Sequence, residues 1–320
     1  MFHYIKNGDT LAGLATEIGL ENPVYLKEYN NAQCLPSDLI VEELEPGKRV
    51  LLPKLTEIED YNALRDAPFR LPKANPNLVW KANLANRNYQ VKVTNRIDGS
   101  ETGSFDYEAR LQLRKSGYDY SQLNWFRSNY HFDKTSKMSQ LVKACSEAIN
   151  PLLITIDDKA VLQEIAVAKS VLEKWPEIQA ALCDAFPDAY AAAYIEDLAY
   201  VLQQPHLVNR RMRQDPFIRT YFAPLRVPFD KGLSSFSLQL STALPPIRIQ
   251  QIVETTDYID SIPLVQTISD NTENDQGLYY EGKYLLDRED SSIRSAAIHT
   301  QVYHKYRQHE TAIELEERAK

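Results

Sequence analysis

Apolar and polar residues alternate most regularly over residues 105–114, where Phe105, Tyr107, Ala109, Leu111 and Leu113 interleave with Asp106, Glu108, Arg110, Gln112 and Arg114. A period of two puts one side of a segment in a core and the other in water, which predicts a half-exposed antiparallel strand. Residues 89–93 alternate in the same way, and Asp98-Gly99-Ser100 supplies turn chemistry between the two runs, so residues 89–114 read as a β-hairpin. From residue 137 to residue 204 the spacing lengthens. Leu141, Ala144, Cys145 and Ala148 make one stripe at helical spacing, and Val161, Leu162, Ile165, Ala168 and Leu172 make another. Residues 178–186 and 189–204 extend the run, and prolines at 151, 176, 187 and 205 mark its breaks, predicting a helical region of antiparallel neighbours. Residues 118–130 are rich in aromatics without a clear period, 234–244 alternate weakly as a strand, and 269–276 are polar. Residues 291–318 read as one long polar helix. Its stripe of Ile293, Ala297, Val302, Tyr306 and Ile313 is too thin to fold alone and must dock on something.

The first fifty-odd residues carry sharper signals. His3, Tyr4 and Ile5 suit a short strand, and Asn7-Gly8-Asp9-Thr10 is a turn that ends in a helix cap. Leu11, Leu14, Ala15 and Ile18 follow at helical spacing until Gly19 stops them. Pro23 opens a second helix through Val24, Leu26, Tyr29 and Asn30. Pro46-Gly47 then turns into a strand, Arg49-Val50-Leu51-Leu52, closed by Pro53.

These motifs resemble those of the LysM domain. The match runs from Tyr4 through Leu11, continues in Leu14-Ala15, Gly19, Leu26 and Asn30, and closes with Pro46-Gly47-Lys48-Arg49-Val50-Leu51-Leu52-Pro53. The resemblance covers residues 2–53 of 320. It implies a βααβ module that binds N-acetylglucosamine-containing glycans such as peptidoglycan. The implied glycan groove has Gly8, Asp9, Thr10 and Leu11 on one side and Asn30 and Asn31 on the other. The loop at 31–45 is longer than the family carries and holds Glu42, Glu43 and Glu45, which alters one wall of that groove. The expected organisation is a LysM-like module at 1–53, a proline-containing linker at 54–76 (Pro68, Pro72, Pro76), and a mixed α+β domain at 77–320.

Composition bounds the function. With 43% hydrophobic and 25% charged residues the chain is globular, and 320 residues suit two domains. A net charge of −8 argues against nucleic acid or an anionic membrane surface as partner. Residues 1–53 hold four basic and eight acidic side chains, which suits a basic protein partner as well as a neutral sugar. No run of about 18 apolar residues predicts a membrane span. The first twenty residues lack the features of a secretory signal, so a cytoplasmic, reducing location is expected.

Candidate chemistry is sparse. Cys34, Cys145 and Cys183 are too few and scattered for a disulfide framework or a zinc site, and Cys145 and Cys183 lie on apolar stripes as core thiols do. His299, His304 and His309 fall five residues apart, a spacing that shares no helical face and matches no metal motif. Asp157-Asp158 reads as a helix cap. Gly-x-Ser-x-Gly, His-Glu-x-x-His and phosphate-loop motifs are absent, so no catalytic residue, metal or cofactor is assigned. Arg210, Arg211, Arg213 and Arg219 interleave with Tyr221 and Phe222, a composition that favours a protein contact over single-stranded nucleic acid in an acidic chain. The expectation is a non-enzymatic adaptor. LysM modules without signal peptides occur in contractile injection machines, including type VI secretion, so the resemblance implies a bacterial component or cargo of such a machine. The alternative is a LysM-targeted effector enzyme such as a peptidoglycan hydrolase.

Overall fold

Two hydrophobic clusters form, and they share no residue. In the computed structural model they belong to two units, Met1–Lys73 and Ala74–Lys320. The structure describes residues 2–65, 68–69, 75–76, 78–81, 85–240, 245–253, 261–269, 277–304 and 306–318.

In the first unit, β1 (Phe2–Tyr4) pairs antiparallel with β2 (Arg49–Leu51), with His3 opposite Val50. Between them lie α1 (Leu11–Glu17) and α2 (Pro23–Asn31). Each helix starts where local chemistry satisfies its free amides: Thr10 Oγ1 accepts from Gly13 N at 3.0 Å, and Asn22 Oδ1 accepts from Val24 N at 3.0 Å. Leu14, Ala15, Leu26, Tyr29 and Val50 form the core. A third helix, α3 (Leu55–Leu64), follows at once. Ile58 and Tyr61 on it complete that core, and Tyr61 stacks on Phe69 with ring centroids 5.4 Å apart. The stretch expected as a linker from residue 54 is therefore core-forming helix up to Leu64, because Ile58, Tyr61 and Leu64 recur at helical spacing ahead of its prolines. Pro72 lies outside the described residues.

The second unit is built on strands. In chain order these are β3 (Arg87–Ile97), β4 (Ser100–Ser116), β5 (Tyr120–Phe132), β6 (Leu152–Asp157), β7 (Leu162–Val167), β8 (Leu233–Leu238), β9 (Ile247–Val253), β10 (Ser261–Ile268), β11 (Tyr279–Asp287), β12 (Ile293–His304) and β13 (Arg307–Arg318). One helix, α4 (Lys137–Ala148), sits between β5 and β6. Four more, α5 (Lys169–Ala185), α6 (Ala189–Leu202), α7 (Pro205–Met212) and α8 (Pro216–Tyr221), join β7 to β8. All eleven strands form one antiparallel sheet in the order β7-β6-β5-β4-β3-β13-β12-β11-β10-β9-β8. Two meanders, β3 to β7 and β8 to β13, thus meet at the β3–β13 pair, where Val93 lies opposite Ile313. Along β3, β4 and β13, the buried residues Tyr89, Val91, Val93, Tyr107, Ala109, Leu111, Ile313 and Leu315 occupy one face, and α8 packs against β3, β12 and β13. The intervening Gln90, Lys92, Asp106, Glu108, Glu314 and Glu316 lie on the opposite face, with Gln90 Nε2 donating to Asp106 at 2.6 Å. Among the described residues no helix is long and apolar enough to cross a membrane.

This architecture corrects the expected fold class. The chain is β-rich rather than α+β, and its body is the 11-stranded sheet rather than a mixed domain with a helical region and a C-terminal helix. The expected helix at 291–318 is the β12–β13 hairpin. Its residues also alternate: Ala296, Ile298, Ile313 and Leu315 are buried, whereas Ala297 and Tyr306 of the supposed helical stripe are exposed. Only strand pairing buries that set. The expected helical region at 137–204 contains β6 and β7, because Leu152, Ile154 and Ile156 alternate into the core and are each fully buried. Asp157 caps no helix; its Oδ1 accepts from Lys159 N and Val161 N in the turn between those strands. The aromatic stretch without a clear period is β5. Residues 270–276 of the polar segment and 241–244 of the weakly alternating one lie outside the described residues.

Gly282 shows how tightly the sheet is packed under its helices. A Cβ there would meet Gln266 Oε1 at 3.0 Å, the Tyr280 hydroxyl at 3.1 Å and Ile298 Cδ1 at 3.2 Å. Gly282→Val is expected to lower the unfolding free energy by about 1–3 kcal/mol through overpacking. Gly103→Val on β4, where a Cβ meets nothing within 4 Å, is expected to change it by less than about 0.5 kcal/mol. Urea titration of both variants checks the contrast.

Candidate functional site

The groove residues of the N-terminal unit are engaged within the unit itself. Gly8 adopts φ 93°, the left-handed turn that leads into α1. Asp9 accepts from the Lys6 amide at 2.8 Å and meets His3 Nε2 at 2.8 Å, and these hydrogen bonds hold its carboxyl below the usual carboxylate range. The Thr10 hydroxyl is occupied by the α1 cap, and Leu11 packs half-buried against the core. Asn30 is completely buried; its Nδ2 donates to the Asp38 carbonyl at 3.0 Å and its Oδ1 accepts from Leu51 N at 2.9 Å. Asn31 donates to the Ile40 carbonyl at 2.7 Å and accepts from Ile40 N at 2.8 Å. Asp38 in turn receives the Arg49 guanidinium at 2.9 Å. The two asparagines therefore brace the long loop against α2 and β2, and their amides face the protein. Among the residues the unit turns outward are several large apolar ones: Phe2, Tyr4, Leu35, Leu39 and Val41 are exposed, with Phe2 and Tyr4 in edge-to-face contact at 5.3 Å.

In the second unit the structure divides the basic–aromatic run. Arg210 and Arg211 are exposed at the end of α7, Arg211 lying 3.5 Å from Asp197. Arg213 reaches back to β7, donating to the Gln163 carbonyl at 2.6 Å and the Leu162 carbonyl at 3.1 Å. Tyr221 is buried, its ring 5.2 Å from Phe217 and 5.4 Å from Tyr89, and Phe222 packs beside it at 4.9 Å. Arg219 is half-buried and donates to the Leu240 carbonyl at 3.2 Å. These six residues do not form one partner surface, because the aromatic members belong to the core.

Between those arginines sits a residue that sequence reading passed over. Asp215 caps α8, accepting from Phe217 N at 2.9 Å, and the same carboxylate accepts the Tyr107 hydroxyl at 2.8 Å. Arg127 on β5 stands 3.5 Å from its other oxygen and lies over the Trp125 ring at 4.7 Å. Removal from water raises the Asp215 pKa despite Arg127 and Tyr107, and burial with the adjacent carboxylate pushes Tyr107 well above the ordinary phenol range. The Asp-Pro pair is a legible cap signature. Arg127 becomes legible only once β5 is known, since Ser121, Leu123, Trp125 and Arg127 then share the buried face.

Burial pushes the Cys145 thiol up to about 11, which favours the thiol over the thiolate at neutral pH. Among the described residues no group of three or more His, Cys, Asp or Glu side chains is placed to hold a metal ion. His299, His304 and His309 lie on the β12–β13 hairpin, where His299 stands 3.9 Å from Glu310.

No protein-family model matches the chain, and no curated protein does. A solved structure of lipovitellin, described for its lipid–protein interactions, aligns at 10% identity and a TM-score of 0.36. The alignment covers 73% of this chain and 25% of that one, so the chain spans a quarter of the length of that protein.

Replacing Arg127 by Met keeps the stem but strips Asp215 of its counter-charge. The unfolding free energy at pH 7 is expected to fall by about 3–5 kcal/mol. Asp215 has a folded pKa above its unfolded one, so its contribution is complete below the unfolded value and is lost as pH rises through the folded value. The loss in R127M is therefore expected to shrink between pH 7 and pH 5, as urea titrations at both pH values will show.

Proposed function

We propose that the chain is a non-enzymatic adaptor whose LysM-like N-terminal unit engages a protein partner. The observation that carries this reading is the division of labour within that unit. The side chains of Asp9, Thr10, Asn30 and Asn31 are engaged in its own hydrogen bonds, while Phe2, Tyr4, Leu35, Leu39 and Val41 face water. Exposed aromatic and aliphatic groups beside side chains already engaged within the unit suit contact with a protein partner by apolar burial. The acidic excess of residues 1–53 adds a preference for a partner with basic groups at the rim of the contact. A component of a contractile injection machine is the candidate that the LysM resemblance raises.

The intact tagged protein and the double variant Leu35→Ser/Val41→Ser are compared by quantitative pull-down from the native cell. Both positions are exposed, so the variant keeps its fold. One partner recovered in stoichiometric amount by the parent is expected to fall at least about tenfold with the variant, the loss of about 1.4 kcal/mol that a modest hot spot carries. Unchanged recovery sinks the reading. Sedimentation with insoluble peptidoglycan, competed by N-acetylglucosamine oligomers, would assign the surface to glycan instead, and release of soluble muropeptides would make the protein a hydrolase.

A further inference from the structure

A cavity of about 140 Å³ lies in the second unit between α8 and the inner face of β11, β12 and β13. Its walls combine aliphatic side chains, Leu238, Ile298 and Val302, with the hydroxyl-bearing Thr300 and Thr311. Tyr280, Tyr284 and His309 also line it, and among the described residues no aspartate or glutamate does. Arg219 enters from α8 and forms part of the wall. One of its N–H groups reaches the Leu240 carbonyl at 3.2 Å, and among the described residues no carboxylate pairs with it.

Two other arginines held within this unit are paired with acids, whereas half-buried Arg226 donates, like Arg219, to a backbone carbonyl, that of Ser291, and of these two Arg219 is the one in the cavity wall. Arg127 meets Asp215 at 3.5 Å, and Arg87 meets Asp290 at 2.8 Å and also Glu317. A guanidinium withdrawn from water without an opposite charge is costly, and the burial of Arg219 lowers its pKa accordingly. The rigid guanidinium fork of Arg219 stands beside a space that no described aspartate or glutamate lines. A carboxylate fits that fork by two parallel hydrogen bonds, which a compact inorganic ion matches less well. The volume is close to the roughly 150 Å³ of an apolar cavity that admits the six carbons of benzene, so it takes an aliphatic tail of up to about that size.

We propose that this cavity binds a small aliphatic monocarboxylate of about four to six carbons, its carboxylate on Arg219 and its tail against Leu238, Ile298 and Val302. This site is independent of the N-terminal surface, and its ligand is a small molecule rather than a protein.

The test follows thermal unfolding and calorimetric binding of the intact protein with butyrate, hexanoate, phosphate and chloride at equal ionic strength. Butyrate or hexanoate at about 100 times its dissociation constant is expected to raise Tm by roughly 5 °C. Phosphate and chloride are expected to raise it by less than a third of that. Arg219→Met, whose stem still fills its path, is expected to abolish the response, and Arg219→Lys to weaken affinity about tenfold by losing the fork. If Arg219→Met does not fold, Ala223→Leu closes the cavity with the arginine in place and must likewise abolish binding. Absence of any shift in the parent, or an undiminished shift in a folded Arg219→Met or Ala223→Leu variant, overturns the site. A phosphate response equal to that of hexanoate overturns the aliphatic ligand.

Discussion

The arrangement of the second unit depends on one buried carboxylate. Asp215 begins α8, receives the Tyr107 hydroxyl from β4, and neutralises Arg127 from β5. Helix α8 is thereby fixed to the distant β4–β5 hairpin by groups that cannot be left alone out of water. The aromatic rings around them have little freedom as a result: Trp125, Phe217, Tyr221 and Tyr89 stack or meet edge to face at 5.2–5.8 Å. Helix α8 has only six residues and too few intrahelical bonds to stand alone, so its place on the sheet is set by this contact and by the burial of Phe217, Ile218 and Tyr221.

A second polar device works on the neighbouring strands β3 and β13. Arg87 on β3 joins Asp290, in the turn before β12, to Glu317 on β13, and Asp287 holds Arg294 at 2.9 Å beside them. These contacts sit where the two meanders meet. A third runs across β9, β10 and β11: the Tyr280 hydroxyl donates to Gln266, Gln266 to Gln251, and Gln251 to the Leu225 carbonyl. Each chain of bonds satisfies polar groups that the sheet has buried, and each makes one register of neighbouring strands better than its slips.

Those same devices explain what could and could not be seen in the sequence. The turn and cap chemistry of Thr10, Asn22 and Pro23 acts over two or three residues, so it is legible wherever it occurs. The alternation at 105–114 is also local, ten residues with one face buried. By contrast, Gln251 and Gln266 interrupt the apolar pattern of β9 and β10, because their partners lie on neighbouring strands rather than nearby in the chain. Between β11 and β12 the register shifts at Leu285/Leu286, from Ser295 to Ile293, so the buried Ile293 falls out of step with Ala296 and Ile298 and the alternation of β12 is broken. Tyr221 and Phe222 look like an interface beside their arginines, and only tertiary burial shows that they are core. Asn30 and Asn31 stand where a glycan would be read, but a sequence does not say which way an amide points.

The pairing of β3 with β13 has a consequence for how the protein is made. Strand β3 ends at Ile97, and its partner on one side is not complete until Arg318. At roughly 5–20 residues per second, the first meander waits on the order of 10–45 s with that edge unpaired. An open edge of alternating apolar residues is a template for any strand within reach, including one from a neighbouring nascent chain. The fold thus places an open strand edge at the centre of its sheet and leaves it to be closed last. Protection during synthesis has to come from elsewhere, either from α8 settling early over Tyr89 or from a chaperone that covers β3 until the hairpin of β12 and β13 arrives.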